Sequence, residues 1–324
     1  MTISTLLPPH HGSTAARPSE ASANDGSAHV SERGPASDAG AREPLVIIIL
    51  TLDEEANIEK AIASVQRRAP VMVVDSGSRD RTVELARAAG AELHEHAFVD
   101  YASQRNWALE QAQSRYRWVF FLDADEEITP ALWRAIEQAC ARDDLDGGYV
   151  GLTFVVLGRE LEHGGFGGAS ILRLMRPDVA RFSRGTNERV DDRHMRVTRL
   201  GAKLRHDDHK PLAEWFRKHV RYAQREARHF VDGDDHRRGL DGFSLRTKAG
   251  RTVGVRWAYN KLPLFLRPFV HFGRTVVAQH AWLDGLPGLM YAGMQSLWYP
   301  LMIDLFIYEE RWRRKLEREE HEGT

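Results

Sequence analysis

The chain has 324 residues, enough for one large domain or two ordinary ones, and with 42% hydrophobic and 28% charged residues most of it can bury a core. A formal net charge of −1 gives no footing for a nucleic-acid binder, so no nucleic-acid partner is expected. The single cysteine, Cys140, excludes an intrachain disulfide framework and fits a reducing compartment. No basic segment followed by an apolar stretch opens the sequence, so a cytoplasmic catalytic part is expected.

Residues 1–43 are rich in Ala, Ser, Gly, Pro and His and nearly empty of large apolar side chains, which predicts a disordered tail. The pattern changes at Leu45. LVIIILT (45–51) reads as a strand buried on both faces, NIEKAIASVQRR (57–68) as a helix, and VMVVD (71–75) as a second strand. RDRTVELARAAG (79–90) reads as a helix stopped by Gly90, AELHEH (91–96) as a third strand and SQRNWALEQA (103–112) as a third helix. WVFFLD (118–123) is a fourth strand, and TPALWRAIEQACARD (129–143) a helix capped by Thr129. Strands alternating with single helices predict a parallel α/β sheet, whose ligands sit beyond the carboxyl ends of the strands. Past residue 145 the alternation gives way to a mixed region with a Gly-rich loop, HGGFGGAS (163–170), and one long amphipathic helix over 211–231.

Three strand ends carry candidate chemistry. FFLDADEE (120–127) puts carboxylates at i and i+2, so Asp123 and Asp125 converge on one hard cation if the chain stays extended. A bland alternative is a solvated acidic turn. VVDSGSRDRT (73–82) places Asp75 at a strand end before small residues, able to accept from a nucleobase, while Asp80 or Ser78 caps the next helix. TLDEE (51–55) lacks the glycines of a dinucleotide fingerprint, which counts against a dehydrogenase, and suits a nucleoside meeting the chain edge-on.

In order and at the expected spacing, LVIIILTLDEEANIEKAIASV, VMVVDSGSRDRTVELARAAGAELHEH, YASQRNWALEQA and WVFFLDADEEITPAL resemble the successive motifs of family 2 glycosyltransferases of the GT-A fold. The subgroup with the greatest similarity includes lipopolysaccharide-core β-glucosyltransferases. The resemblance covers roughly residues 45–215. It implies inverting transfer from a nucleotide-diphosphate sugar, with Mg²⁺ or Mn²⁺, to a lipid-linked or cell-envelope glycan acceptor.

Carried onto this chain, the resemblance makes Thr51, Leu52 and Glu54 nucleoside contacts, sets Asp75 on the base and Arg105 near the diphosphate, and gives Asp123 and Asp125 the metal (a DXD motif). It points to Glu188, in GTNERV, as the catalytic base, although Asn187 departs from the pattern there. His206 is implied as a further metal ligand or diphosphate contact; His163 and Arg173, which flank the Gly-rich loop, are candidate acceptor contacts by position. Asp53 stands where similar proteins carry Asn, and stays outside the site because its charge would repel phosphate.

The expected organisation is therefore a tail (1–43), a GT-A domain (44–232), a linker (233–250) and an amphipathic helical region (251–324). The last combines aromatic and aliphatic side chains with Arg256, Lys261, Arg267 and Arg274, and Pro and Gly interrupt residues 285–308. It is expected to lie on the inner face of the cytoplasmic membrane rather than to span it. The competing functions are a nucleotidyltransferase, which would show a Gly-rich loop with a basic residue after the first strand, and a non-catalytic membrane scaffold.

Overall fold

The computed structural model describes residues 42–65, 67–168, 170–183, 189–190, 192–232 and 257–322. The expected base Glu188, the linker 233–250 and nearly all of the tail lie outside them. Arg42 and Glu43 belong with the domain: Glu43 bridges Tyr116, its N–H donating to Arg115 O at 2.8 Å and its carbonyl accepting from Arg117 N at 2.8 Å.

The first half follows the expected alternation: β1 (Val46–Thr51), α1 (Ile58–Ser64), β2 (Val71–Asp75), α2 (Thr82–Ala88), β3 (Glu92–Glu95), α3 (Tyr101–Ala112) and β4 (Val119–Asp123). The run VIII is fully buried, because β1 is central and covered on both faces. β1 is parallel to β2, with Thr51 beside Asp75, and to β4, with Leu50 beside Asp123. That register sets the polar ends of the three strands side by side. α1 stops at Val65, short of the expected 68, since Arg67 takes a left-handed φ of 57°. Asp100 Oδ1 accepts from Ser103 N at 2.7 Å and starts α3, and Thr129 accepts from Leu132 N ahead of α4 (Pro130–Cys140).

A short strand that the sequence did not predict, β5 (Glu126–Ile128), follows the turn at Ala124–Asp125. Then come β6 (Gly147–Val156), β7 (Arg159–Leu161), β8 (Ser170–Met175), the small pair β9 (Phe182–Ser183) and β10 (Arg189–Val190), β11 (Val197–His206) and α5 (Leu212–Val231). The main sheet has nine strands in the order β3-β2-β1-β4-β8-β6-β11-β5, with β7 on β6. β5, β7 and β8 run against their neighbours, and the rest share one direction. The architecture is the expected mostly parallel α/β arrangement, followed by a C-terminal helical region.

That region holds α6 (Arg267–Gly273), which runs into a π-helical segment at Arg274–Ala278, and a 3-10 turn at Ala281–Asp284. α7 (Gly285–Ala292), a π-helical segment at Gly293–Trp298 and α8 (Tyr299–Glu322) then follow without a break. Tyr299, Ile303 and Ile307 of α8 pack on Ala223, Ala227 and Phe230 of α5. Arg267 corrects an expectation. It is 4% exposed and ion-paired with the fully buried Asp304, so it joins α6 to α8 and faces no lipid. Among the described residues no helix is long and apolar enough to cross a membrane.

Candidate functional site

The loops after β1 and β2 are knitted together by reciprocal hydrogen bonds. Thr51 Oγ1 donates to Asp75 Oδ1 at 3.0 Å, and both residues are buried. Ser78 Oγ donates to the same oxygen at 2.5 Å, while the N–H groups of Gly77 and Ser78 donate to Oδ2 at 2.9 and 2.8 Å. These donors fill the roughly four acceptor positions of a carboxylate. Asp75 therefore shapes the loop after β2. Its N–H donors lie within two and three residues on the chain, so this outcome needed only local geometry.

Asp53 explains its own departure from Asn. Its φ is 54°, a left-handed backbone that Asn and Asp tolerate, and its Oδ1 accepts from Arg79 N at 2.8 Å as an amide oxygen would. Glu54 is committed to Lys210 Nζ at 2.7 Å and Asn57 Nδ2 at 2.9 Å, and burial raises its pKa. Leu52 stands at the rim, 49% exposed, open to a flat ring. Asp80 accepts from Thr82 N at 3.0 Å at the start of α2, as expected of one of the two capping candidates.

The two DXD carboxylates each have a cationic partner of their own. Extended chain would have aimed them together, but the backbone turns at Ala124–Asp125, and each finds its own cation. Asp123 takes a bidentate pair from Arg173, with Nη1 at 3.0 Å and Nη2 at 2.5 Å, and a longer contact from Arg105 Nη2 at 3.4 Å. Arg105 lies over the rings of Phe121 and Phe182. Burial works to raise the pKa of Asp123, but Arg173 and then Arg105 outweigh it and bring it to about 2. Asp125 faces His206, the last residue of β11, with Nδ1 3.5 Å from Oδ1. Burial disfavours both charges, yet the attraction of the pair holds Asp125 well below the carboxylate range and lifts His206 to about 9.

Two more residues belong here that sequence reasoning did not assign. Glu126, 2% exposed, accepts from Arg173 Nη2 at 2.7 Å and from the N–H of Asp123 at 3.0 Å; burial, with Asp123 and Asp125 nearby, pushes its carboxyl up to about 7. Lys218, half-buried on α5, feels Asp125, Glu54 and Asp208, and their field raises its pKa against the cost of burial. The run DADEE hid Glu126 among solvated acids, and nothing in the sequence marks Lys218 apart from its helical phase. Arg173, expected at the acceptor, lies instead beneath Asp123. His163 is spent on Asp284, its Nδ1 2.9 Å from Oδ1.

The chemistry of the donor set suits a divalent ion at Asp125 with His206 beside it once the ion displaces the imidazole's extra proton: one hard oxygen and one imidazole nitrogen, the other positions falling to phosphate oxygens and water. Asp123, already neutralised by Arg173, is the weaker candidate ligand. Among the described residues the three-residue grouping with ligand atoms within 4.8 Å is another one, Glu127, Asp207 and His209. Arg205 pairs with its Glu127 and Asp207 at 2.8 Å each, and Lys60 Nζ lies 2.9 Å from His209, so existing cations satisfy that cluster.

Residues 46–193 match the family described as Glycosyl transferase family 2. Among curated proteins the chain is 35% identical over 150 residues to a TPR repeat-containing protein of Synechococcus elongatus, covering 45% of this chain and 35% of that one. It is 37% identical over 106 residues to the lipopolysaccharide core biosynthesis glycosyltransferase LpsC of Rhizobium meliloti, covering 31% and 38%. The chain thus spans little more than a third of the length of these relatives. Among solved structures, glucosyl-3-phosphoglycerate synthase from Mycobacterium tuberculosis in complex with phosphoglyceric acid aligns at a TM-score of 0.40 and 18% identity, covering 55% of this chain and 76% of that one. From Val46 to Arg193, this chain carries a glycosyl transferase family 2 domain.

Proposed function

We propose that this protein is a metal-dependent, inverting glycosyltransferase that moves a sugar from a nucleotide-diphosphate donor to a lipid-linked or cell-envelope glycan acceptor. The observation that carries the reading is the shared edge at which Thr51, Asp75, Asp123 and the Asp125–His206 pair meet. In this reading the nucleoside lies against the knitted loops after β1 and β2, beside Leu52. The diphosphate points toward Arg105, Lys218 and Asp125. A divalent ion at Asp125 and His206 would offset charge on the departing diphosphate. Arg173 fixes Asp123, so the wall next to the sugar carries a fixed, unprotonated carboxylate. Glu188 remains the proposed base.

A nucleotidyltransferase is disfavoured by TLDEE, which offers no basic Gly-rich loop after β1. The envelope acceptor is supported by similarity to LpsC, a lipopolysaccharide core biosynthesis glycosyltransferase. Association with the inner face of the cytoplasmic membrane is supported by the outer surface of the C-terminal helices. Phe269, Val277, Trp282 and Leu286 are 53–69% exposed there, with Lys261 and Arg274 also exposed. The deciding experiment is a hydrolysis screen of UDP-, GDP-, dTDP- and CDP-sugars with Mn²⁺. Metal-dependent turnover of one of them is expected, and turnover of none would overturn the reading.

A further inference from the structure

The loop His163–Gly168 lies at the carboxyl edge of the sheet. β8 begins directly after it and pairs Ser170 with Gly151, while its Arg173 reaches Asp123. The loop is built against the C-terminal helices. Both oxygens of Asp284, 3% exposed, are spent on His163: Oδ2 accepts the backbone N–H at 2.9 Å and Oδ1 meets Nδ1 at 2.9 Å. Gly164 N donates to Gln279 O at 2.8 Å. Gly165, at φ 72°, lies so close to Gln279 that a Cβ would come 2.4 Å from Nε2. Phe166 is buried edge-on to Tyr291, whose ring also meets Phe154, and Phe154 in turn meets His206. A path of packed side chains thus runs from the C-terminal helices to the partner of Asp125.

One short turn carries both ends of this arrangement. In Ala281–Asp284, Trp282 and Leu283 point out at 53% and 44% exposure while Asp284 points in. A carboxylate buried against a loop of small residues does more than an anchor needs, because an anchor requires only the outward face.

We propose that Asp284 is a positioning residue: through His163 it holds the Gly-rich loop as the acceptor-side lip of the sugar-transfer site, so that the C-terminal helices form one wall of that site. The glycan hydroxyl would enter past this lip, and in its absence the closed lip keeps water from the donor sugar. The proposal rests on the glycosyltransferase reading for its chemistry and on the hydrogen bonds for its mechanics, and the two can fail separately.

The test compares full-length wild type, Asp284→Ala, Asp284→Asn and Gly165→Ala by hydrogen exchange and by hydrolysis of the sugar nucleotide found in the Mn²⁺ screen. Loss of the clamp in Asp284→Ala should speed exchange of the amides over 163–168 about tenfold while β4 and β11 stay protected. Uncoupled hydrolysis should rise about threefold or more as water enters, with affinity for the nucleoside diphosphate and Mn²⁺ within about twofold of wild type. Gly165→Ala should reproduce this pattern, and Asp284→Asn, which keeps an acceptor for the His163 N–H, should restore much of the wild-type behaviour. Unchanged loop exchange in Asp284→Ala overturns the clamp. Exchange that rises equally in β4 and β11 reduces Asp284 to general stability and overturns it too. A loosened loop with unchanged hydrolysis overturns the lip. If wild type binds no sugar nucleotide, the glycosyltransferase reading falls, while the exchange data still decide the clamp.

Discussion

Arg173 and Asp123 meet as a planar fork on a carboxylate, Nη1 to Oδ1 at 3.0 Å and Nη2 to Oδ2 at 2.5 Å, with Glu126 accepting a third bond from the same guanidinium. Removing one partner from a buried charge group strands the others. Arg173→Met should therefore destabilise the fold by about 3–5 kcal/mol, with Asp123 and Glu126 left facing each other. Arg173→Lys keeps the charge but not the fork and should cost less. Urea denaturation of the three proteins measures this, and a Met variant as stable as wild type would refute the pairing.

Asp125→Ala should lower metal-dependent donor hydrolysis by about 10²–10³-fold, because the carboxylate beside His206 is lost where charge develops. Asp123→Ala should also abolish transfer, by freeing Arg173. The two variants differ in metal response: extra Mn²⁺ should partly restore Asp123→Ala and not Asp125→Ala. Activity titrated against Mn²⁺ separates them, and equal rescue of both would contradict the assignment of the ion to Asp125 and His206.

Thr51→Val keeps the shape and removes the hydroxyl that satisfies Asp75. The buried oxygen then lacks one donor, so stability should fall by about 1–3 kcal/mol. Affinity for the nucleoside diphosphate should weaken as the two loops loosen. Calorimetry and thermal melting report both effects, and a variant unchanged in each would show that the loops do not depend on this bond.

Binding to anionic vesicles should occur at low salt and weaken as salt rises. Since Arg267 is buried against Asp304, the charge reversals that matter are Lys261→Glu and Arg274→Glu, both exposed. Each basic residue near an anionic surface contributes about 1 kcal/mol, so the double reversal should cut partitioning tenfold or more, by a rough count. Co-sedimentation measures it, with Arg267→Glu expected to unfold the helical region instead. A protein that stays in the supernatant would remove the membrane from the proposal.

The sheet was legible because its information is local. VIIIL, VMVV and VFFL are short, apolar without interruption and rich in β-branched or aromatic residues, which favours buried strands over helices. Their register then put Thr51, Asp75 and Asp123 at one edge without further assumption. What stayed hidden depends on partners distant in sequence. Arg173 looked like an acceptor contact until Asp123 and Glu126, 50 and 47 residues away, claimed it. Arg267 looked like a lipid contact until Asp304 did the same, 37 residues on. The separate partners of Asp123 and Asp125 stayed hidden for a different reason, since side-chain alternation holds only in extended chain and the backbone turns at Ala124–Asp125. Long basic side chains reach far, and their spacing along the sequence says little about which acid they will find.

The helix from Gly285 to Glu322 changes phase midway, where the widened turn at Gly293–Trp298 accommodates one residue more than an α-helix would. Each residue advances an α-helix by about 100°, so this single addition reorients everything downstream. Before it, Leu286, Leu289 and Met290 face out; after it, Tyr299, Ile303 and Ile307 face α5. The widened turn sets the phase in which Tyr299, Ile303 and Ile307 meet α5. Deleting one residue there would rotate everything downstream by about 100° and turn Tyr299, Ile303 and Ile307 off α5, so the far end would dock no longer.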